Sequence, residues 1–451
     1  MTGQDSGPRY GAYAWYVAII LTLANSFAFV DRQVLALLVE PLKADLGVSD
    51  TVISLLYGFS FSLFYVAIGL PMARFADRSN RRNIIVASIV VWSFMTAVCG
   101  LARSAGMLFL ARVGVGAGEA GLTPSAQSIL ADYFPRDRLP AALGIFSMGI
   151  YIGGGMALML GGLVIQSLSD MGAITLPLIG TIKPWQATFL IVGTPGLLLG
   201  LVALTIREPA RRGVVGKPVS LPFAEMARHV NASLGSYVGI IIGLSLMILV
   251  GQGSTAWLPA FFERRYGWTS TEIGFHYGLV VFFCGMAGTL SGGFVASALR
   301  RRGHIRANLI AATFGFAVLV PLTIVFPMMP TGQSALTTIG VMIFFAGFPF
   351  GGGYAALQEI TPNRMRAQIA ACYMLGVNLI GAGLGPTAIA LATDHIFGDP
   401  MALPKSLSLV AAVASPLALA FIALALVRHP AAIARLEAAE RAEAATETHH
   451  V

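Results

Sequence analysis

Four ionisable residues stand where lipid would surround them, two acids and two bases. Asp31 and Arg32 are adjacent in AFVDRQVLALLVEP, residues 28–41, which is apolar on both sides of the pair. Arg112 and Glu119 are seven residues apart in LFLARVGVGAGE, residues 108–119. That spacing puts them near one helical face with ~10 Å of rise between them. A charge in hydrocarbon is costly, so such residues face a cavity or one another. With the first apolar helix ending near Glu40 and Pro41, Asp31 and Arg32 lie ~13 Å inside its outer end. With the fourth entering near Gly106, Arg112 is ~9 Å deep and Glu119 ~20 Å deep. The pair falls between them, with Asp31 in reach of Arg112 and Arg32 in reach of Glu119. The chemistry of such a set is proton-linked charge exchange. Its charges cancel while both acids are ionised, and protonating either acid releases an arginine to hold an anion. Asp31 and Glu119 are the expected proton carriers, Asp31 favoured and the choice left open. Arg32, Arg112 and Asn25 are the expected ion-pair and cargo residues, Asn25 because it lies seven before Arg32 on the same face. The other reading of Asp31 and Arg32 is an interfacial cap, against which the apolar run that follows weighs.

These residues need a scaffold that crosses a bilayer. Of 451 residues, 56% are hydrophobic and 11% charged, with a mean hydropathy of +0.77; a soluble chain is about 25% charged. Runs of about 20 residues, long enough to span, fall near 13–40, 52–73, 84–101, 106–131, 141–166, 186–206, 234–260, 273–298, 307–327, 335–357, 368–393 and 407–428. The expected fold is an all-α membrane protein with twelve transmembrane helices in two six-helix bundles. It comprises a tail 1–12, a bundle 13–206, a linker 207–233, a bundle 234–428 and a tail 429–451 read as short helix or disorder. With a cytoplasmic N-terminus, 21 of the 29 Lys and Arg residues fall on inside segments and 6 on outside ones. That bias predicts both termini in the cytoplasm, in the inner (plasma) membrane. The net charge of +8 is then explained by basic loops, and no nucleic-acid partner is expected. Cys99, Cys284 and Cys372 lie in apolar stretches, so neither disulfide nor metal site is expected. No cleavable signal is visible, so the first helix is expected to remain as an anchor.

The two halves resemble each other. LGVSDTVISLLYG, from Leu46, aligns with YGWTSTEIGFHYG, from Tyr266, at an offset of 220, and ARFADRSNRR, from Ala73, with GFVASALRRR at the same offset. Two halves in one orientation are the duplication of a parallel-repeat transporter. Asp31 and Arg32 map onto Gly251 and Gln252, so ion chemistry is expected in the first half. Gln252, Ser254, Thr255 and Trp257 are candidates for lining a cavity, with polar helix packing equally open. Tyr57, Phe59, Phe61 and Tyr65 read as packing.

ARFADRSNRR resembles the loop signature of the major facilitator superfamily, with Asp77, Arg78, Arg81 and Arg82 intact and Ala73, Phe75 and Asn80 in place of a glycine, a leucine and a glycine. The resemblance implies a cytoplasmic latch built from those four charges. LARVGVGAGE resembles the superfamily's fourth-helix signature, which is linked to proton coupling. Gly144, Gly153, Gly161 and Gly162 follow its fifth-helix glycine spacing, often seen in exporters, though Ala157-Leu158 replaces the Gly-Pro; Gly385-Pro386 stands at the matching place in the eleventh helix. Gly153, Gly161, Gly162, Gly385 and Pro386 are therefore expected to act as hinges or as packing. FVDRQVLALL, GEAGLTP, DYFPRDRLPAALG and FLIVGTPGLLLG resemble the Spinster family. That resemblance implies transport of lysolipids and sphingoid-type lipids, sphingosine 1-phosphate included, by a proton-coupled mechanism, and a bacterial member's own cargo need not be the animal one.

The expected function is a secondary active transporter working by alternating access. It would be proton-coupled, monomeric and without cofactor, moving an amphipathic lipid-like cargo of sphingolipid or lysophospholipid type. Proton-linked transport of small organic anions or drugs, and a non-transporting membrane sensor, are the alternatives. No GxxxxGK[ST], HExxH or GxSxG occurs, so neither ATP-driven transport nor an enzyme is expected. No histidine reads as placed for proton transfer: His276 lies early in the eighth helix, His229 and His304 in loops.

Overall fold

The structure, a computed structural model, describes residues 11–76, 79–135, 138–172, 174–176, 180–211, 223–362 and 365–448. The first ten residues, Asp77, Arg78, much of the expected linker, His449 and His450 lie outside them. Apolar surroundings offer the backbone no water to bond, so a spanning segment must satisfy its own N–H and C=O groups as a helix. Among the described residues twelve helices are long and apolar enough to cross a membrane. They are α1 (Ala12–Leu37), α2 (Asp50–Gly69), α3 (Arg81–Cys99), α4 (Ala105–Tyr133), α5 (Ala141–Met171), α6 (Pro184–Ala203), α7 (Leu234–Tyr266), α8 (Ser270–Arg301), α9 (Ala307–Met328), α10 (Gly332–Glu359), α11 (Gln368–Phe397) and α12 (Pro400–Arg441). The fold is all-α as expected, with one short hairpin added. Between α5 and α6, β1 (Ile174–Leu176) pairs antiparallel with β2 (Gly180–Ile182), Thr175 opposite Thr181. These stretches are rich in β-branched residues, which suit a pleated surface. The last helix also continues past residue 428, with helical turns running to Thr448. Its Ala, Glu, Leu and Arg are strong helix formers.

Prolines place the breaks that shape the site. Pro41 has no N–H for the Leu37 carbonyl, and α1 ends at Leu37. A second short helix, Val39–Leu46, ends at Gly47, whose φ is 63° and whose N–H bonds the Lys43 carbonyl at 3.0 Å. Pro124 likewise offers nothing to the carbonyl of Ala120. As a result α4 is helical over Ala105–Glu119 and again over Leu122–Tyr133, with a turn directly after Glu119.

The chain forms two compact units. The first gathers Met1–Val48, Leu63–Gly216 and Ser270–Gly278; the second gathers Ser49–Ser62, Lys217–Thr269 and Leu279–Val451. The beginnings of α2 and α8, the segments aligned at an offset of 220, each belong to the unit that does not hold the rest of their helix. Glycines permit both exchanges. In the second unit a Cβ on Gly58 would lie 2.9 Å from the Ala382 carbonyl oxygen, and in the first a Cβ on Gly274 would lie 2.3 Å from that of Leu158. Within the first unit α1 packs along α5, and α3 along α4 and α6; within the second α7 packs along α12, and α9 along α10 and α12.

Candidate functional site

In the first unit α1 and α4 bring the four charges into contact. Arg112 donates from Nη1 to Asp31 Oδ2 at 2.6 Å, and Thr96 of α3 donates to Asp31 Oδ1 at 2.8 Å. Arg32 donates from Nε to Glu119 Oε2 at 3.1 Å and pairs with the same oxygen through Nη2. Asp31, Arg112 and Glu119 are each at most 2% exposed. The two pairs differ in what remains unused. Both oxygens of Asp31 accept hydrogen bonds, whereas Glu119 Oε1 is buried with no partner among the described residues. They differ in access too. The Arg32 side chain keeps 22% of its surface, and its guanidinium lies 4.8 Å from the Phe29 ring and 5.6 Å from that of Tyr65. Tyr65 thus meets a charge where packing alone was expected.

Glycines set the spacing that allows these contacts. A Cβ on Gly118 would come 2.7 Å from the backbone nitrogen of Trp92, and one on Gly114 2.6 Å from Met95 Sδ, so α3 lies close enough to α4 for Thr96 to reach Asp31. Asn25 is placed differently from expectation. Its Nδ2 donates to the Phe146 carbonyl at 3.0 Å, so it ties α1 to α5 instead of joining the charges.

The expected latch residues divide. Asp77 and Arg78 are outside the described residues. Arg81, 2% exposed, donates from Nε to Glu208 Oε1 at 2.7 Å, from Nη1 to Ser128 at 2.9 Å and to Asp132, and from Nη2 to the Pro209 carbonyl at 3.2 Å. The Arg82 backbone N–H donates to Glu208 Oε2 at 3.0 Å, and its side chain donates to its neighbour Asn83. A carboxylate does sit at the N-terminus of α3, where the helix dipole favours it, and it is Glu208. Neither Glu208 nor Asp132 was anticipated, because each is far along the chain and reads locally as a loop acid.

In the second unit Trp257 is a strut, its Nε1 donating to the Pro386 carbonyl at 3.0 Å. Ser254 is buried, and Gln252 and Thr255 keep part of their surface. A Cβ on Gly385 would lie 2.4 Å from the Leu249 carbonyl oxygen, so this glycine is a contact point of α11 with α7. In the first unit Gly162 is held similarly, 2.4 Å from the Ser270 oxygen by the same measure.

One ion pair escaped the sequence reading altogether. Asp50, with no exposed surface, is gripped at both oxygens by Arg264, at 2.7 and 2.8 Å, and the guanidinium lies 5.7 Å from the Trp257 ring. Arg264 had counted only as one of the outside charges. Replacing Asp50 by Asn takes the carboxylate from a largely buried guanidinium, which keeps the Pro400 carbonyl at 3.1 Å, and is expected to cost about 3 kcal/mol. Arg264→Lys is expected to cost less, since an ammonium keeps the charge but not the fork. Thermal unfolding of the purified protein in detergent checks both.

A model of the Major Facilitator Superfamily matches residues 21–386. An MFS-type efflux pump of Mycolicibacterium smegmatis is 28% identical over 420 residues, covering 90% of this chain and 92% of that protein. A probable L-galactonate transporter of Escherichia coli is 25% identical, over 84% and 83% of the two chains. Among solved structures, a bacterial homologue of the human lysosomal transporter Spinster, inward-facing and unoccupied, superimposes with a TM-score of 0.74 at 29% identity, covering 94% of this chain and 97% of that one.

Proposed function

The chain belongs to the Major Facilitator Superfamily, in its Spinster-like part, and on that premise we propose a proton-coupled transporter of amphipathic anions with an apolar tail, of the lysophospholipid or sphingoid phosphate type. That it is an integral, multi-pass membrane transporter and not an enzyme follows from the family. The finer reading is carried by one observation: Arg32, the partly exposed member of the cluster, is held by a buried carboxylate and flanked by two aromatic rings. Glu119 is the proton carrier in this reading, because its Oε1 has no partner among the described residues while both Asp31 oxygens are engaged. A proton on Glu119 weakens its hold on Arg32, whose guanidinium then pairs with the anionic head of the cargo while Phe29 and Tyr65 meet apolar carbon. Loss of the proton returns Arg32 to Glu119 and expels the head. Asp31 keeps Arg112 neutralised throughout. Alternating access, a monomeric state and cytoplasmic termini complete the proposal, the last from the bias of Lys and Arg.

A second reading is proton-linked transport of small organic anions, favoured by the likeness to the probable L-galactonate transporter. The two separate in proteoliposomes offered a lysophospholipid, a sphingoid phosphate and a sugar acid, with and without a pH gradient. One proton per cargo makes a gradient of one pH unit worth ~1.4 kcal/mol, about a tenfold accumulation. The expected result is gradient-dependent movement of the lipids and not of the sugar acid. Movement of the sugar acid alone selects the second reading, and no flux of any of them selects a sensor.

A further inference from the structure

The Arg81–Asp132 pair of the first unit has a counterpart in the second, with one change. At a common offset of 227 these positions become Asn308 and Glu359, and Asn308 Nδ2 donates to Glu359 Oε1 at 2.9 Å. The amide is neutral, so the cation of the first unit has gone. Arg300, from the end of α8, pairs with that same oxygen. Glu359 Oε2 makes no hydrogen bond among the described residues and lies 3.6 Å from Nε2 of His429, a ring with no exposed surface. Nε2 is also 3.1 Å from the Ala356 carbonyl, in the last turn of α10. A carbonyl only accepts, so Nε2 carries the hydrogen. The other ring nitrogen, Nδ1, is buried without a partner among the described residues. His429 therefore caps a carbonyl at the end of a helix, where such groups lack partners of their own.

This geometry suits a neutral ring. A second proton would place an N–H on Nδ1 with nothing to accept it, and a charge where no water reaches. Two charged groups face the ring. Arg306, at the start of α9, repels a cationic form; Glu359 attracts it, though Arg300 and Asn308 already answer most of that carboxylate. The carbonyls just past the end of α10 are fastened separately. His229, on the short helix Phe223–Ala232, lies 3.2 Å from the Ile360 oxygen, Tyr237 donates to it at 2.9 Å, and Arg366 reaches the Thr361 oxygen at 3.3 Å.

We propose that His429 is a proton-operated clasp in the second unit: neutral, it fastens the last turn of α10 to α12 through Ala356; protonated, it leaves that carbonyl for Glu359 Oε2 and loosens the junction. The site shares no residue with Asp31, Arg32, Arg112 and Glu119, so it makes the transporter answer to pH by a second route. Nothing in it depends on which cargo is carried.

The test is thermal unfolding of the full-length protein in detergent between pH 8 and pH 5.5, for the wild type, His429→Gln, His229→Gln and Glu359→Gln. Glutamine keeps a donor for Ala356 and cannot charge. Below the ordinary histidine pKa of ~6.5 the wild type is expected to lose about 3 °C more than His429→Gln. Glu359→Gln is expected to lose more than the wild type, because the charged ring has no carboxylate to turn to. His229→Gln should follow the wild type. The proposal is overturned if the wild type and His429→Gln fall in parallel, if His229→Gln is the variant that removes the acid loss, or if Glu359→Gln is flatter than the wild type. Should His429→Gln not fold, the Glu359→Gln profile against the wild type decides between these outcomes by itself.

Discussion

Asp31→Asn is expected to destabilise the protein by about 3–5 kcal/mol, the range for removing one partner of a buried ion pair. The substitution keeps the shape and an acceptor for Thr96, but it leaves the Arg112 guanidinium, 1% exposed, without the carboxylate 2.6 Å away. Glu119→Gln is expected to behave otherwise. Glutamine resembles the protonated acid, its carbonyl oxygen still accepts from Arg32, and the exposed part of Arg32 meets solvent, so the cost should stay near 1 kcal/mol. Its defect is functional: cargo still equilibrates, while accumulation driven by a pH gradient is lost. Denaturant unfolding in mixed micelles measures the first effect and proteoliposome flux the second. Combining Asp31→Asn with Arg112→Gln should recover part of the lost stability, because the two side chains are coupled and their effects are not additive. If Asp31→Asn folds normally and abolishes gradient-driven flux while Glu119→Gln retains it, the proton belongs to Asp31 and the assignment above is wrong.

That contrast could be posed from the sequence only in part. Counting helix rise from the expected ends of α1 and α4 already put Asp31 and Arg32 between Arg112 and Glu119 in depth, each in reach of its opposite charge, and the structure brings those atoms together. Depth is a one-dimensional quantity, and hydropathy with a fixed rise per residue supplies it. Which acid has an unused oxygen is not, because Thr96 reaches Asp31 from a third helix, 65 residues away. The same limit hid Glu208 at Arg81 and Asp50 at Arg264, whose partners stand 127 and 214 residues apart. Local reading placed those acids in loops, where a carboxylate is ordinary. His429 was missed for another reason. The hydropathy run stops at residue 428 and the expected boundary was drawn there, but α12 continues in a stretch whose helix propensity comes from Ala, Glu and Arg instead of apolar bulk. The twelve spans were legible because lipid leaves a backbone no alternative to the helix. The exchange of the beginnings of α2 and α8 was not, although the repeat had marked those very segments as equivalent, since the match records ancestry and not which neighbour a glycine face will meet.

The glycines of α5 give the remaining large effect, and they separate close packing from mere composition. Gly153 and Gly161 both look toward α1, and sequence alone ranked them together. A Cβ on Gly153 would lie 2.2 Å from the Ser26 carbonyl oxygen and 2.7 Å from its Cα, so backbone meets backbone and the helices must part. A Cβ on Gly161 would lie 3.3 Å from Leu37 Cδ1 and Val34 Cγ2, the ends of side chains that can turn aside. Gly153→Ala is therefore expected to cost about 3 kcal/mol, the upper part of the range for overpacking, and Gly161→Ala less than about 1 kcal/mol. The functional loss at Gly153 should exceed the stability loss. Ser26 precedes Asp31 by five residues on the same helix, so a shift of α1 at Ser26 carries to the charge pairs, and displacing reacting groups by about 1 Å is enough to lose ~10²-fold in rate. Gradient-driven flux per folded molecule, counted after gel filtration in detergent, checks this against Gly161→Ala as the matched control. Equal flux from the two variants would mean that α1 and α5 separate without moving Asp31 and Arg32, and that the cluster is held by α3 and α4 alone.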